Sequence, residues 1–229
     1  MAHGFSHNGR ACSLRSPWHN GLVRTVLALL GCAGRVEVAL ASPSLAAPSV
    51  VALASPEPRA NLLLQAVHQV LQAAQLKVSD LELVVATTGP GSFTGIRNTL
   101  ACAWGFAQAC HLPVHGFSSL LVQAARSGEA EVLAVQPARK GWFYAQPFVC
   151  KEGWIATAPV EILRQEELAS QPLSVVAPPG LKLPPDVKVA STCRTPAEAL
   201  LALGVQLESP DSSTLVPSYV EAFPASREP

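Results

Sequence analysis

From Arg24 onward the chain switches between short apolar runs bounded by turn residues and longer stretches whose apolar positions recur every three to four residues. Residues 1–21 show neither period and are rich in Gly, Ser, His and Asn, so they are predicted to be a disordered extension. Residues 25–33 and 36–42 pattern as two paired strands, and 49–54 as a third. Residues 61–74 predict the first helix, with Leu62, Leu63, Leu64, Ala66, Val67, Val70, Leu71, Ala73 and Ala74 as apolar positions. That is wider than one stripe, so one face should meet its own sheet and the other a neighbour. A fourth strand follows at 83–88, and a second helix at 95–110 carries Ala101, Cys102, Ala103, Gly105, Ala107 and Ala109. Side chains this small allow close helix approach. Residues 113–117 predict a fifth strand and 118–125 a third helix. Residues 131–160 alternate as antiparallel strands do, and 178–186 (PPGLKLPPD) reads as a surface linker. Thr195 caps a last short helix, with Pro196 at its first position, Glu198 at the capping-box place and Gly204 past its end.

Between the fourth strand and the second helix lies TTGPGSFTGIR, residues 87–97. The order of strand, glycine loop and helix aims backbone N–H groups at an anion, or turns the chain sharply enough to pack the helix on its sheet. Gly89, Gly91 and Gly95 are free to take positive φ, Pro90 fixes the entry, and Ser92 and Thr94 can cap a helix beginning near Gly95. With Arg97, these residues (Gly89, Gly91, Ser92, Thr94 and Gly95) are the candidates for a nucleotide or phosphate contact. Ile96 and Arg97 stand where a Walker A loop needs Lys and Ser/Thr, so that motif is excluded. A capped turn that touches no ligand satisfies the same pattern, and both readings stand at this point.

Composition narrows the partners more than the fold. With 229 residues, 49% of them hydrophobic, the chain can bury a substantial core. Formal net charge is zero and charged residues make up 14%, which argues against a nucleic-acid binder acting alone and for a protein partner. Six cysteines are scattered without a CxxC pair and read as reduced and cytosolic. Cys110, His111 and His115 lie close in sequence, but Pro113 opens a strand between them and a fourth ligand is missing, so no metal site is expected. Leu29-Leu30-Gly31-Cys32 has the form of a bacterial lipoprotein cleavage box. The apolar run before it is short for a signal peptide, and residues 36–42 pair with it as a strand, so the strand reading is preferred. His68 reads as a solvated helix side chain, and Trp142, Phe143, Tyr144 and Phe148 as core.

Three strands, helix, strand, helix, strand, helix is the order of half of the actin, sugar-kinase and Hsp70 superfold. Residues 89–120, GPGSFTGIRNTLACAWGFAQACHLPVHGFSSL, closely resemble the signature of the bacterial TsaB (YeaZ) proteins: GPGSFTGLR, a small-residue helix, then IPxxGxSSL. The likeness extends through EVLAVQPARKGWFYA (131–145) and to VPSYV (216–220), covering Arg24 to about Ala222. It implies an α/β, ribonuclease H-like fold: a mixed sheet flanked by helices, in two lobes of which the second is degenerate. The expected division is an extension at 1–21, an N-terminal lobe at 22–128 with the glycine loop, a smaller lobe at 129–222 and a tail at 223–229. Departures from the family pattern change groups that could hold Mg²⁺ or phosphate. Leu29-Leu30-Gly31 replaces Ile-Asp-Thr, Arg59 replaces a His, and Pro137-Ala138-Arg139 replaces Asp-Ala-Arg. Trp142 replaces a Glu, and Glu221 replaces an Arg.

The resemblance implies a non-catalytic subunit required for threonylcarbamoyladenosine modification of tRNA next to the anticodon, which binds and activates a TsaD-like catalytic subunit. It implies further a TsaE-like ATPase partner, pairing of the chain with itself when alone, tRNA engaged through the complex, a cytoplasmic location and no membrane. Partner contact is expected through the first two helices, with Leu63, Val67, Val70, Thr99, Ala103 and Phe106 as candidate positions. No catalytic residue, metal or stably bound cofactor is expected, with ATP or ADP met only at the complex interface. Two alternatives come from other classes: a metallopeptidase of the glycoprotease superfamily, for which no HExxH is present, and an autonomous nucleotide phosphotransferase of the superfold, disfavoured by Leu30 in place of Asp.

Overall fold

The computed structural model describes residues 24–31, 35–53 and 60–220. The expected extension and tail, the first two residues of the expected N-terminal lobe (22–23), and Cys12, Cys32, Arg59 and Glu221 lie outside those residues. Strands β1 (Val26–Leu30), β2 (Val36–Ala41) and β3 (Ser49–Leu53) form an antiparallel meander. Helix α1 (Ala60–Ala74) leads to β4 (Leu83–Gly89), α2 (Phe93–Cys110), β5 (Val114–Ser118) and α3 (Ser119–Ala124). β4 pairs parallel with β1 and with β5, so the first sheet has the order β3-β2-β1-β4-β5. This is the mixed, ribonuclease H-like sheet expected from the order of elements.

Alternation along the central strands divides the core into two layers. Leu27, Leu29, Val38, Leu40, Val84 and Ala86 point to one face and meet Leu63, Ala66, Val67, Val70 and Leu71 of α1 with Ile96, Leu100 and Ala103 of α2. The α1 spacing of i, i+3, i+4, i+7, i+8 explains why this face turns inward. Val26, Ala28, Leu30, Ala39, Ala41, Leu83 and Val85 point the other way, towards Val122 and Ala125 beside α3 and towards α4 (Pro196–Val205). Both layers are buried, and β1 lies at the centre of the sheet with no residue more than 7% exposed.

The second sheet consists of β6 (Glu131–Pro137), β7 (Trp142–Cys150), β8 (Trp154–Ala156), β9 (Glu161–Arg164) and β10 (Val175–Val176), in the order β10-β6-β7-β8 with β9 also on β7. One face meets the outer side of α3 through Leu120 and Ala124. The other is closed by irregular chain: Leu168, Leu173, Leu181, Leu183 and Val187 pack on Leu133, Val135, Phe143 and Ala145. Residues 178–186 are therefore more than a surface linker, since two of their leucines help cover this face. The second lobe is degenerate in that sense, with turns where the first lobe has helices.

Three sequence expectations need correction. Residues 129–222 do not form one lobe, because α4 and the 3₁₀ turn Ser212–Thr214 pack on the first sheet. Arg24 fixes α4 there by donating to the carbonyls of Gly204 and Leu207. Gly204 lies inside α4, not past its end; a Cβ there would come within 2.9 Å of both Val85 methyl groups, so close helix-to-sheet approach requires the glycine. Finally, Cys102, Cys110 and Cys193 are free thiols, but Cys150 is disulfide-bonded. Spacing along the chain carries no information on which sulfurs meet in space.

Candidate functional site

The glycine loop begins where β4 ends. Gly89 has φ +106° and Gly91 φ +152°, both in the region open to glycine, and the bond between Gly89 and Pro90 is cis. Ser92 is the N-cap: its hydroxyl accepts from the Gly95 N–H at 3.3 Å, and α2 starts at Phe93, two residues earlier than the loop composition suggested. Thr94 thus stands inside the first turn, exposed, and caps nothing. Replacing Ser92 by Ala should cost about 1 kcal/mol, and replacing Thr94 by Ala less than about 0.5 kcal/mol, in chemical denaturation. Equal costs would mean that the cap is shared.

Gly95 is a helical residue without positive φ, and its role differs from that of the other two glycines. A Cβ at this position would overlap the carbonyl oxygen of Gly31, and one at Gly31 would lie 2.8 Å from the carbonyl oxygen of Gly95. The two glycines let the end of β1 touch the first turn of α2. Thr99, a candidate partner position, is fully buried at this junction and donates to the Gly95 carbonyl at 2.9 Å. The glycine at position 31 is therefore explained by packing.

Arg97 is exposed, stacks on the Phe93 ring with its guanidinium carbon 3.8 Å from the centroid, and donates from Nε to the Tyr219 hydroxyl at 3.3 Å. Tyr219 and Phe93 stack in turn, their centroids 5.5 Å apart. Residues 214–219 run across the ends of β4 and β5 and bring Tyr219 here, a contact that no local pattern announced.

The segment is anchored upstream at His115 on β5. Its Nδ1 accepts the Asp211 N–H at 3.1 Å, which requires a ring unprotonated at that nitrogen, and its ring lies 4.7 Å from Phe117. Burial holds the His115 pKa below the ordinary 6.5, partly offset by the Asp211 charge. As pH falls through about 6.5 the unfolded chain takes up a proton that the folded chain still refuses. The contribution of His115 is thus complete above that pH and lost as pH falls towards the lower folded pKa. Thermal unfolding at pH 7.5 and 5.0 should show a greater acid loss in the wild type than in His115→Asn. Equal acid losses would remove His115 from the balance.

The outer side of α1 and α2 presents the second feature, an apolar groove of about 480 Å³. Its lining includes Leu63, Leu64, Val78, Asn98, Ala101, Cys102, Gly105, Phe106, Ala109 and Cys110. Leu64 is 58% exposed. Burial pushes the Cys102 thiol up to about 11, so it serves as a small apolar side chain and not as a nucleophile. Nothing lies within 4 Å of a Cβ built on Gly105, so no packing within the described residues requires that glycine.

Of the candidate partner positions, Leu63, Val67, Val70, Thr99 and Ala103 are no more than 3% exposed and turn into the lobe's own core, where they hold the helices on the sheet. Leu63 also reaches the groove, and half-buried Phe106 lines it. The outward positions that the expectation missed are Leu64, Ala101, Gly105 and Ala109.

A third feature is a polar cavity of about 20 Å³ beside the end of β1, lined by Leu30, Arg35, Glu37, Thr87, Gln123 and Gln136 among others. It has room for about one water molecule. Glu37 is buried, paired with Arg35 and accepting the Ala197 N–H at 3.1 Å, so its carboxylate is committed to holding α4. Among the described residues no three His, Cys, Asp or Glu side chains converge as a metal site, and no helix is long and apolar enough to cross a membrane.

The family model for TsaD, tRNA N6-adenosine threonylcarbamoyltransferase, matches residues 54–153, which contain both groove helices. The tRNA threonylcarbamoyladenosine biosynthesis protein TsaB of Escherichia coli is 32% identical over 93 residues, 39% of this chain and 40% of that protein. TsaB of Bacillus subtilis is 32% identical over 90 residues, 38% of this chain and 39% of that one. The matched part thus spans about two-fifths of these curated relatives. YeaZ from Pseudomonas aeruginosa superposes with a TM-score of 0.70 at 23% identity, over 86% of this chain and all of that one. The chain is therefore a sequence relative of the TsaB proteins over part of its length, and it has the actin-like, two-sheet fold of the YeaZ structures.

Proposed function

We propose that this chain is a non-catalytic subunit of the assembly that forms threonylcarbamoyladenosine in tRNA next to the anticodon, and that it binds and activates a TsaD-type catalytic subunit through the α1–α2 groove. The observation that carries this reading is the groove itself. An apolar channel of about 480 Å³ runs along two helices and holds a mid-helix glycine that packing among the described residues leaves unexplained. Gly in a helix interior costs about 1 kcal/mol relative to Ala, a loss recovered if another helix needs the space. The match to a TsaD model over the same two helices supports a partner with a like pair of helices, and two such pairs build a four-helix contact. The same surface accounts for pairing of the chain with itself when the catalytic subunit is absent.

Support for an accessory role comes from the polar cavity. Leu30 stands where superfold kinases carry Asp, Glu37 is held by Arg35 and α4, and the remaining space takes about one water, not a nucleotide. A TsaE-type ATPase and the tRNA meet the assembly through the catalytic subunit, in the cytoplasm, and ATP or ADP is handled there without stable binding to this chain. The test is co-purification of the tagged chain with the TsaD-type subunit of its own organism, joined to measurement of the modified nucleoside in cells lacking the chain. Undiminished modification in those cells would overturn the reading. So would turnover of ATP or casein by the purified chain alone, which a phosphotransferase or a peptidase would show.

A further inference from the structure

We propose that residues 214–219 form a strap that occupies the glycine loop in the place an external anion would take, so that the loop's ligand is the chain's own backbone. The loop lies at the carboxyl ends of the parallel strands β4 and β5, where open α/β sheets receive their ligands. At the β4 end, the Ser218 N–H donates to the Thr88 carbonyl at 2.8 Å, and the Ser218 carbonyl oxygen lies 2.8 Å from the place a Cβ on Gly89 would take. At the β5 end, the Gly116 N–H donates to Thr214 Oγ1 at 2.8 Å, and a Cβ on Gly116 would overlap the Thr214 carbonyl. Two glycines on neighbouring strands thus make room for one passing segment. Two of the groups that would greet an anion are also engaged. The Gly95 N–H is taken by Ser92, and the Arg97 guanidinium is held between Phe93 and Tyr219 of the strap. Leu215 is 3% exposed and anchors the strap in the core of the first sheet, whereas Val216 and Tyr219 remain 59% and 46% exposed, so cheap local opening is confined to residues 216–219.

Hydrogen exchange on the full chain tests this. Tyr219→Ala removes the ring contact and the acceptor for Arg97; Ser218→Pro removes the N–H that reaches Thr88. Each should speed exchange of the amides in residues 91–97 by roughly tenfold, the scale set by losing one such contact from a local opening, and leave β6 and β7 unchanged. Tripolyphosphate added to the wild type should give those amides no protection. Unaltered exchange at 91–97 in Tyr219→Ala overturns the strap, and because that side chain is half exposed its loss leaves the fold intact even if Ser218→Pro does not. Protection of the wild-type loop by tripolyphosphate overturns the exclusion of an external anion.

Discussion

Gly95→Ala is expected to destabilise the protein by about 3 kcal/mol, while Gly105→Ala in the same helix stabilises the isolated chain by about 0.5–1 kcal/mol. Helix propensity favours Ala at both positions equally, so the difference in sign comes from what the new methyl meets. At position 95 it overlaps the Gly31 carbonyl oxygen. That oxygen belongs to the residue directly after β1, which is paired with β2 on one side and β4 on the other, so it cannot retreat without disturbing the centre of the first sheet. At position 105 the methyl meets nothing within 4 Å among the described residues. Paired denaturant titrations measure both changes. A Gly95→Ala chain as stable as the wild type would show that the junction of β1 and α2 is looser than its geometry, and a destabilised Gly105→Ala chain would show a contact at the groove beyond the described residues.

Ala101→Arg is expected to weaken association with the proposed TsaD-type partner by about 100-fold, equivalent to about 2.7 kcal/mol, with the monomer's stability within about 0.5 kcal/mol of wild type. Ala101 is exposed on α2 and lines the groove, and Arg has nearly the helix propensity of Ala, so the folded monomer accepts it. In the complex the guanidinium would be taken from water into an apolar seam without a partner. Leu64→Glu on the facing helix should act in the same direction. Sedimentation with the partner, beside circular dichroism of the variant alone, separates binding from folding. Ala103→Arg and Val67→Glu cannot serve, because both side chains are within 3% of full burial on the sheet side and their replacement would unfold the lobe. Full association of well-folded Ala101→Arg and Leu64→Glu chains would exclude the groove as the contact.

Local pattern was sufficient for the elements of the first sheet, their order and α4, since strand alternation and helix spacing are properties of neighbouring residues, but not for the short strands β9 and β10. It did not locate α1's buried face: Leu62, Leu63 and Leu64 are all apolar, and Leu63, Val67 and Val70, expected at the partner contact, pack on the sheet. It located the Ser92 cap and the capping box of Thr195 and Glu198, whose partners lie three residues away. Tertiary structure alone decided the rest. In α2, Ala, Cys and Gly occur on every side, so apolarity has no contrast by which to choose a face; Ala103 is buried and Ala101 exposed, although the residue type is the same. Gly95 has positive φ as an option in any loop, but its need for glycine comes from Gly31, which reaches it only through the placement of β1 beside β4. Likewise α4 belongs to the first sheet and Tyr219 lies over the glycine loop because the chain returns there after building the second sheet. Contacts between residues more than a hundred positions apart leave no periodic trace, since each is set by where whole elements pack and not by the neighbours of either residue.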